Sequence, residues 1–151
     1  MLNLLLPVLL ALAPQEAAPP PPPEAKSLSF FSETFPYQWD RLLPLTAEVD
    51  GLKVNSIFFN KRSFRTGPLK GADFGTRAQV EVTNTAKTSR IPGFAVAVFD
   101  ADHRLLGVAT GGAKLGSVAP GDTETFDLSF HHVLERLPLG TTFVLSVELA
   151  P

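Results

Sequence analysis

The clearest signal in the chain is an alternation of oily and polar side chains with a period of two. In RAQVEVTN (77–84), Ala78, Val80 and Val82 fall on one face, and Gln79, Glu81 and Thr83 on the other. That is the pattern of a half-buried antiparallel strand. TETFDLSF (123–130) sets Phe126, Leu128 and Phe130 against Thr125, Asp127 and Ser129. TTFVLSVEL (141–149) sets Phe143, Leu145, Val147 and Leu149 against Thr142, Val144, Ser146 and Glu148. LKVNSIFF (52–59) and LLGVAT (105–110) predict two more strands, with Gly51 marking a kink or bulge ahead of the first. A short strand is expected at 45–49. FAVAVF (94–99) is apolar on both faces, as in a central strand covered on both sides.

Helical periodicity is nearly absent. HHVLERL (131–137) predicts one short helical turn, stopped by Pro138 and Gly140. Six or seven short strands separated by Gly/Pro turns predict an all-β chain. The expected fold is an antiparallel β-sandwich of about seven strands over 45–151, rather than a barrel or an α/β sheet.

Two segments, VAVFDADHRLLG (96–107) and VAPGDTETFDLSF (118–130), narrow the reading. Together they resemble the FxLYD-type immunoglobulin-like domains of bacterial envelope proteins. In that family a strand ends in Phe-x-Leu-Tyr-Asp, and a later Pro-Gly turn leads into an apolar strand. Val96, Val98, Phe99 and Asp100 stand at the motif positions, and Pro120, Gly121 and Phe126 at the later ones. The chain departs from the family at His103, where a turn glycine is usual, and at Phe99, where tyrosine is usual. The resemblance implies an immunoglobulin-like sandwich and no activity.

Ahead of the strands the composition changes. LNLLLPVLLALA (2–13) is apolar but too short to cross roughly 30 Å of hydrocarbon as a helix. With the small residues after it, it reads as a secretory signal peptide over 1–18, although no Lys or Arg precedes the run. A run of prolines follows, within a stiff spacer over 19–27. LSFFSETFPYQWDRLLPL (28–45) carries Phe30, Phe31, Phe35, Tyr37 and Trp39. This aromatic extension, 28–44, is expected to pack on the domain, the alternative being that Tyr37 and Trp39 stack on sugar rings. The expected location is therefore periplasmic or extracellular, with no transmembrane span left in the mature chain.

Charge and chemistry add exclusions. The formal net charge of -2 argues against general nucleic-acid affinity. The absence of cysteine excludes a disulfide, a thiolate nucleophile, a cysteine zinc cluster and a lipid-modified N-terminal cysteine. DADH (100–103) fails as a calcium loop, because Leu105 stands where the loop needs glycine and Gly111 where it needs glutamate. Asp100 and Asp102 suit a hairpin corner instead. His131 and Glu135 have the i, i+4 spacing of metal ligands but lack an evident third ligand. GGAKLGS (111–117) has its lysine in the wrong place for a phosphate loop, and no Gly-x-Ser-x-Gly elbow occurs. No cofactor, no metal and no catalysis are expected.

One asymmetry remains. The connection NKRSFRTGPLKGADFGTR (60–77) concentrates basic residues, among them Lys61, Arg62 and Arg65. These could meet an anionic partner or simply be solvated. The expectation is an exported, non-catalytic module for protein–protein interaction or a structural role in the envelope, met by an envelope protein partner at an exposed edge strand. The rival is a carbohydrate- or lipid-binding module that uses Tyr37, Trp39 and the basic loop.

Overall fold

The structure, a computed structural model, describes residues 29–63, 73–112, 116–133 and 135–150. The signal-peptide and spacer readings at 1–27 lie outside the described residues, as does Arg65 within the basic connection.

Alternation in the sequence becomes two antiparallel sheets packed face to face. The strands are β1 (Ser29–Pro36), β2 (Leu42–Pro44), β3 (Glu48–Val49), β4 (Leu52–Ser63), β5 (Asp73–Asn84), β6 (Pro92–Phe99), β7 (Leu105–Gly112), β8 (Thr123–Phe130) and β9 (Thr142–Leu149). Sheet A runs β1-β9-β6-β7; sheet B runs β2-β4-β5-β8, with β3 also paired to β4. The all-β antiparallel sandwich expected from the sequence is thus the fold.

Each inner face is the apolar face of the period-two pattern. Sheet B contributes Val54, Ile57, Phe59, Ala78, Val80 and Val82, and sheet A contributes Phe94, Val96, Val98, Phe143, Leu145 and Val147, all buried. Fully burying a side chain of this size stabilises a fold by about 1.5–3 kcal/mol relative to leaving it exposed. In β4, Val54 and Ile57 lie three apart yet both point inward. A bulge at Asn55 makes this possible: Val54 pairs with Val82, and Ser56, not Asn55, pairs with Glu81.

The aromatic segment at 28–44 enters the sandwich as strand. β1 pairs along its whole length with β9, from Ser29 opposite Leu149 to Pro36 opposite Thr142, at the edge of sheet A. The chain then crosses between the sheets. Tyr37 N–H donates to Thr141 O of the β9 side, and Asp40 N–H donates to Phe59 O of β4, both at 2.9 Å. Two strands beyond the expected seven arise here, β1 and β2.

The helical turn also differs in place. His131 and His132 form a tight turn, and among the described residues the helical ones are a single 3-10 turn, Leu137–Leu139. Pro138 lies in its first turn. Proline's fixed φ suits the start of a helix, where its missing N–H has no partner to lose. So Pro138 opens the turn that it was expected to end, and Leu137 is anchored with no exposed surface.

Candidate functional site

The described binding candidates, Tyr37, Trp39, Lys61 and Arg62, do not come to one surface. Tyr37 is 5% exposed, its ring 4.5 Å from that of Phe59 and 6.4 Å from that of Phe143. Its hydroxyl is buried and has no hydrogen-bond partner. Burial pushes its pKa well above the ordinary value of 10.0. A ring held this way cannot stack on a sugar without unpacking the core. Trp39 is half-buried against the same cluster and makes a bridge to Phe59. Lys61 and Arg62 are exposed near the end of β4, where Lys61 lies opposite Thr76. Because Phe59 precedes them by two and three residues, Trp39 lies toward the same end of the molecule; Tyr37 faces inward.

The acidic corner closes on itself. Asp100 Oδ1 accepts from the backbone N–H of Asp102 and of Arg104, both at 2.9 Å, and Oδ2 takes the Arg104 Nε at 2.8 Å. The Arg104 guanidinium also meets Asp102 at 3.1 Å. His103 takes φ 59° to complete the turn. With both oxygens of Asp100 engaged by its own corner, the loop is a built hairpin turn. The His131 and His132 rings lie 6.4 Å apart. Among the described residues no group of three or more His, Asp or Glu side chains could hold a metal ion.

The feature that does set one surface apart is the contrast between the two outer faces. On sheet B, the outward residues of β5 and β8 are polar and several bond to one another or to β4, while the β2–β4 margin carries half-exposed Phe58 and, opposite it, Leu42, 62% exposed. Asn55 Nδ2 donates to Thr83 Oγ1 at 2.8 Å and Glu81 Oε1 at 3.3 Å, and the Thr83 and Thr123 hydroxyls share a bond at 2.7 Å. Farther along, Arg77 donates to Asn60 Oδ1 at 3.1 Å and to Asp127 Oδ2 at 2.9 Å. Across β5 and β8 this face is finished for water, and its apolar groups are confined to the β2–β4 margin.

Sheet A is different. The register of β1, β9, β6 and β7 arranges its outward residues in four rows. Phe30, Glu148, Gly93 and Gly112 form the first, and Ser32, Ser146, Ala95 and Thr110 the second. Thr34, Val144, Ala97 and Val108 form the third. Pro36, Thr142, Phe99 and Leu105 form the fourth. Within these rows Glu148 is the one charged residue. Phe30 is 65% exposed, Leu105 52% and Val108 51%. The glycines of the first row leave a shallow open groove of about 550 Å³, bordered by Ile91, Gly93, Gly112, Ser146 and Glu148.

The sequence contained a trace of this face. FAVAVF was expected to be covered on both sides, yet β6 is buried only at every second position, with Gly93, Ala95, Ala97 and Phe99 half-exposed. Its double apolarity marks a face that the chain's own described residues leave open. Among the described residues β1, on the rim of that face, has no strand beyond it, which leaves an edge that a further strand could join.

Among the described residues, no helix is long and apolar enough to cross a membrane. No protein-family model matches the chain, and no curated protein matches its sequence, so the site stands on its own geometry and the FxLYD-type resemblance on the residues quoted for it.

Proposed function

We propose that this chain is an exported, non-catalytic β-sandwich module of the bacterial envelope that works by protein–protein interaction through the outer face and open edge of sheet A. The observation that carries this reading is the unequal finish of the two outer faces: sheet A presents apolar residues on all four of its strands, sheet B only at its β2–β4 margin. A sheet face that exposes Phe30, Val108 and Leu105 and bears one charge is costly in water, and depletion of charge around large apolar groups is the expected composition of the centre of a protein contact. The adjoining edge strand β1 can extend such a contact through backbone hydrogen bonds. Export rests on the apolar leader, and the envelope setting on the FxLYD-type resemblance. Sugar stacking on Tyr37 is disfavoured by the burial of that ring.

Site-specific photocrosslinking in a bacterium carrying the chain tests the proposal. A photoreactive residue at Val108 should give a discrete protein adduct, and the same residue at Gln79 on sheet B should give none. Adducts from Gln79 and none from Val108 would reverse the assignment of the faces.

A further inference from the structure

The sheet A face is self-complementary when two copies are turned against each other, and we infer that its occupant is a second copy of this chain. The inference rests on the assignment of that face as the interaction surface. Consider a two-fold axis lying in the plane of contact, perpendicular to the strands, and passing between the second and third rows. Such an axis gives an aligned sheet-on-sheet packing of the kind that joins the halves of a sandwich. It sets the first row of one copy over the fourth row of the other.

The shapes then match. Gly93 and Gly112, which shape the groove, face Phe99 and Leu105 of the second copy, and at the centre Ala95 faces Ala97. The charges match as well. Glu148 faces Thr142 of the second copy, whose hydroxyl can donate to it. The two Glu148 carboxylates stand at opposite ends, about 20 Å apart at the ~3.4 Å rise of a strand. At that distance, beyond the Debye length of about 8 Å, they barely repel. The size is sufficient. Four strands of eight residues cover about 500 Å² per copy, or about 1,000 Å² for the pair, which is the lower bound for a specific interface.

The fold's own packing requires Gly112, where a Cβ would run into the backbone of Pro92 and Gly93, but it does not account for Gly93. A Cβ added at Gly93 would meet Glu148 O at 3.9 Å and no other atom within 4 Å, so the chain folds as well with a side chain there. Substitution at Gly93 therefore tests the groove without disturbing the core.

Sedimentation velocity on the full chain at ~100 µM, a concentration that populates even a weak pair, tests the inference. The wild type should sediment as a dimer. Ala97→Lys, which brings two ammonium groups to the two-fold axis, should sediment as a single chain. Gly93→Leu should do the same, because it fills the groove, although it makes the face more apolar. Gln79→Lys on sheet B should remain dimeric, and near-ultraviolet circular dichroism should show all three variants folded. A wild type that stays single, or a dimer that persists in both Ala97→Lys and Gly93→Leu, overturns the inference. If Val108 still crosslinks a different envelope protein in that case, the face keeps its role and only self-pairing falls.

Discussion

The ring of Tyr37 fills the space into which a side chain on Gly140 would project. A Cβ at Gly140 would stand 2.6 Å from Tyr37 Cδ1 and 2.7 Å from Val98 Cγ1. Gly140 has φ -60° and ψ 148°, which any residue adopts, so the glycine is there for space and not for backbone freedom. Gly140→Ala should therefore destabilise the fold by overpacking, by about 1–3 kcal/mol. Chemical denaturation checks this: the midpoint should fall with the slope unchanged.

Tyr37 is the sole tyrosine, which makes its titration readable against the whole chain. Its folded pKa is raised by burial, so the stability it contributes is complete below the ordinary value of 10.0 and is lost as pH rises beyond it toward the folded value. Phenolate absorbance should be absent in the folded protein at pH 10.0. It should then appear together with unfolding, as a single cooperative step. Tyr37→Phe removes the unpartnered hydroxyl and should raise stability by about 1 kcal/mol while abolishing that signal.

Asn84 ties two loops together, the β5–β6 and β7–β8 connections, from a fully buried position. Its Nδ2 donates to Thr88 O and Val118 O, each at 2.9 Å, and its Oδ1 accepts from Ala86 N–H at 3.0 Å. Asn84→Ala takes the side-chain partner from Thr88 O and Ala86 N–H and leaves Val118 O only its bond from the Arg90 N–H. The expected loss is about 1–3 kcal/mol, read as a lower thermal midpoint. Asn84→Asp, which keeps the acceptor and loses the donor, should be destabilised too.

How much of this was legible in the sequence depended on which partner decided each residue's fate. Strands such as 77–84 and 123–130 alternate because one side of each faces the core, and that alternation is local. β1 was missed as a strand because its face is settled by distant pairing: Ser29 lies opposite Leu149, and most of its residues stay half-exposed or exposed at the edge. Pro138 was misread because proline stops one helix and starts another by the same chemistry. The candidate site was half visible. FAVAVF announced a strand apolar on both faces, but which face would be left uncovered required the sheet order.

His103 holds φ 59°, a left-handed backbone conformation that a side-chain-bearing residue adopts at a cost. Glycine adopts it freely. His103→Gly should therefore stabilise the hairpin by about 0.5–1 kcal/mol, with hydrogen-exchange protection rising at the turn. A loss of stability would mean that the histidine side chain itself supports the corner.

Asp100 gives the fold an acid limit. Its carboxyl is held below the ordinary 3.8 first by the backbone N–H of Arg104, then by the Arg104 side chain and the Asp102 N–H, against the opposing effect of burial. The sign follows from linkage. A carboxylate with a depressed folded pKa contributes its stability in full above the ordinary value, and that stability is lost as pH falls through the folded value. Asp100→Asn keeps the shape but loses the charge and one acceptor. Its thermal midpoint should lie below that of the wild type at neutral pH, and the gap should narrow as the pH drops below 3.8. A gap of constant size across that range would mean that the corner is held by shape alone, with the carboxylate's charge contributing nothing.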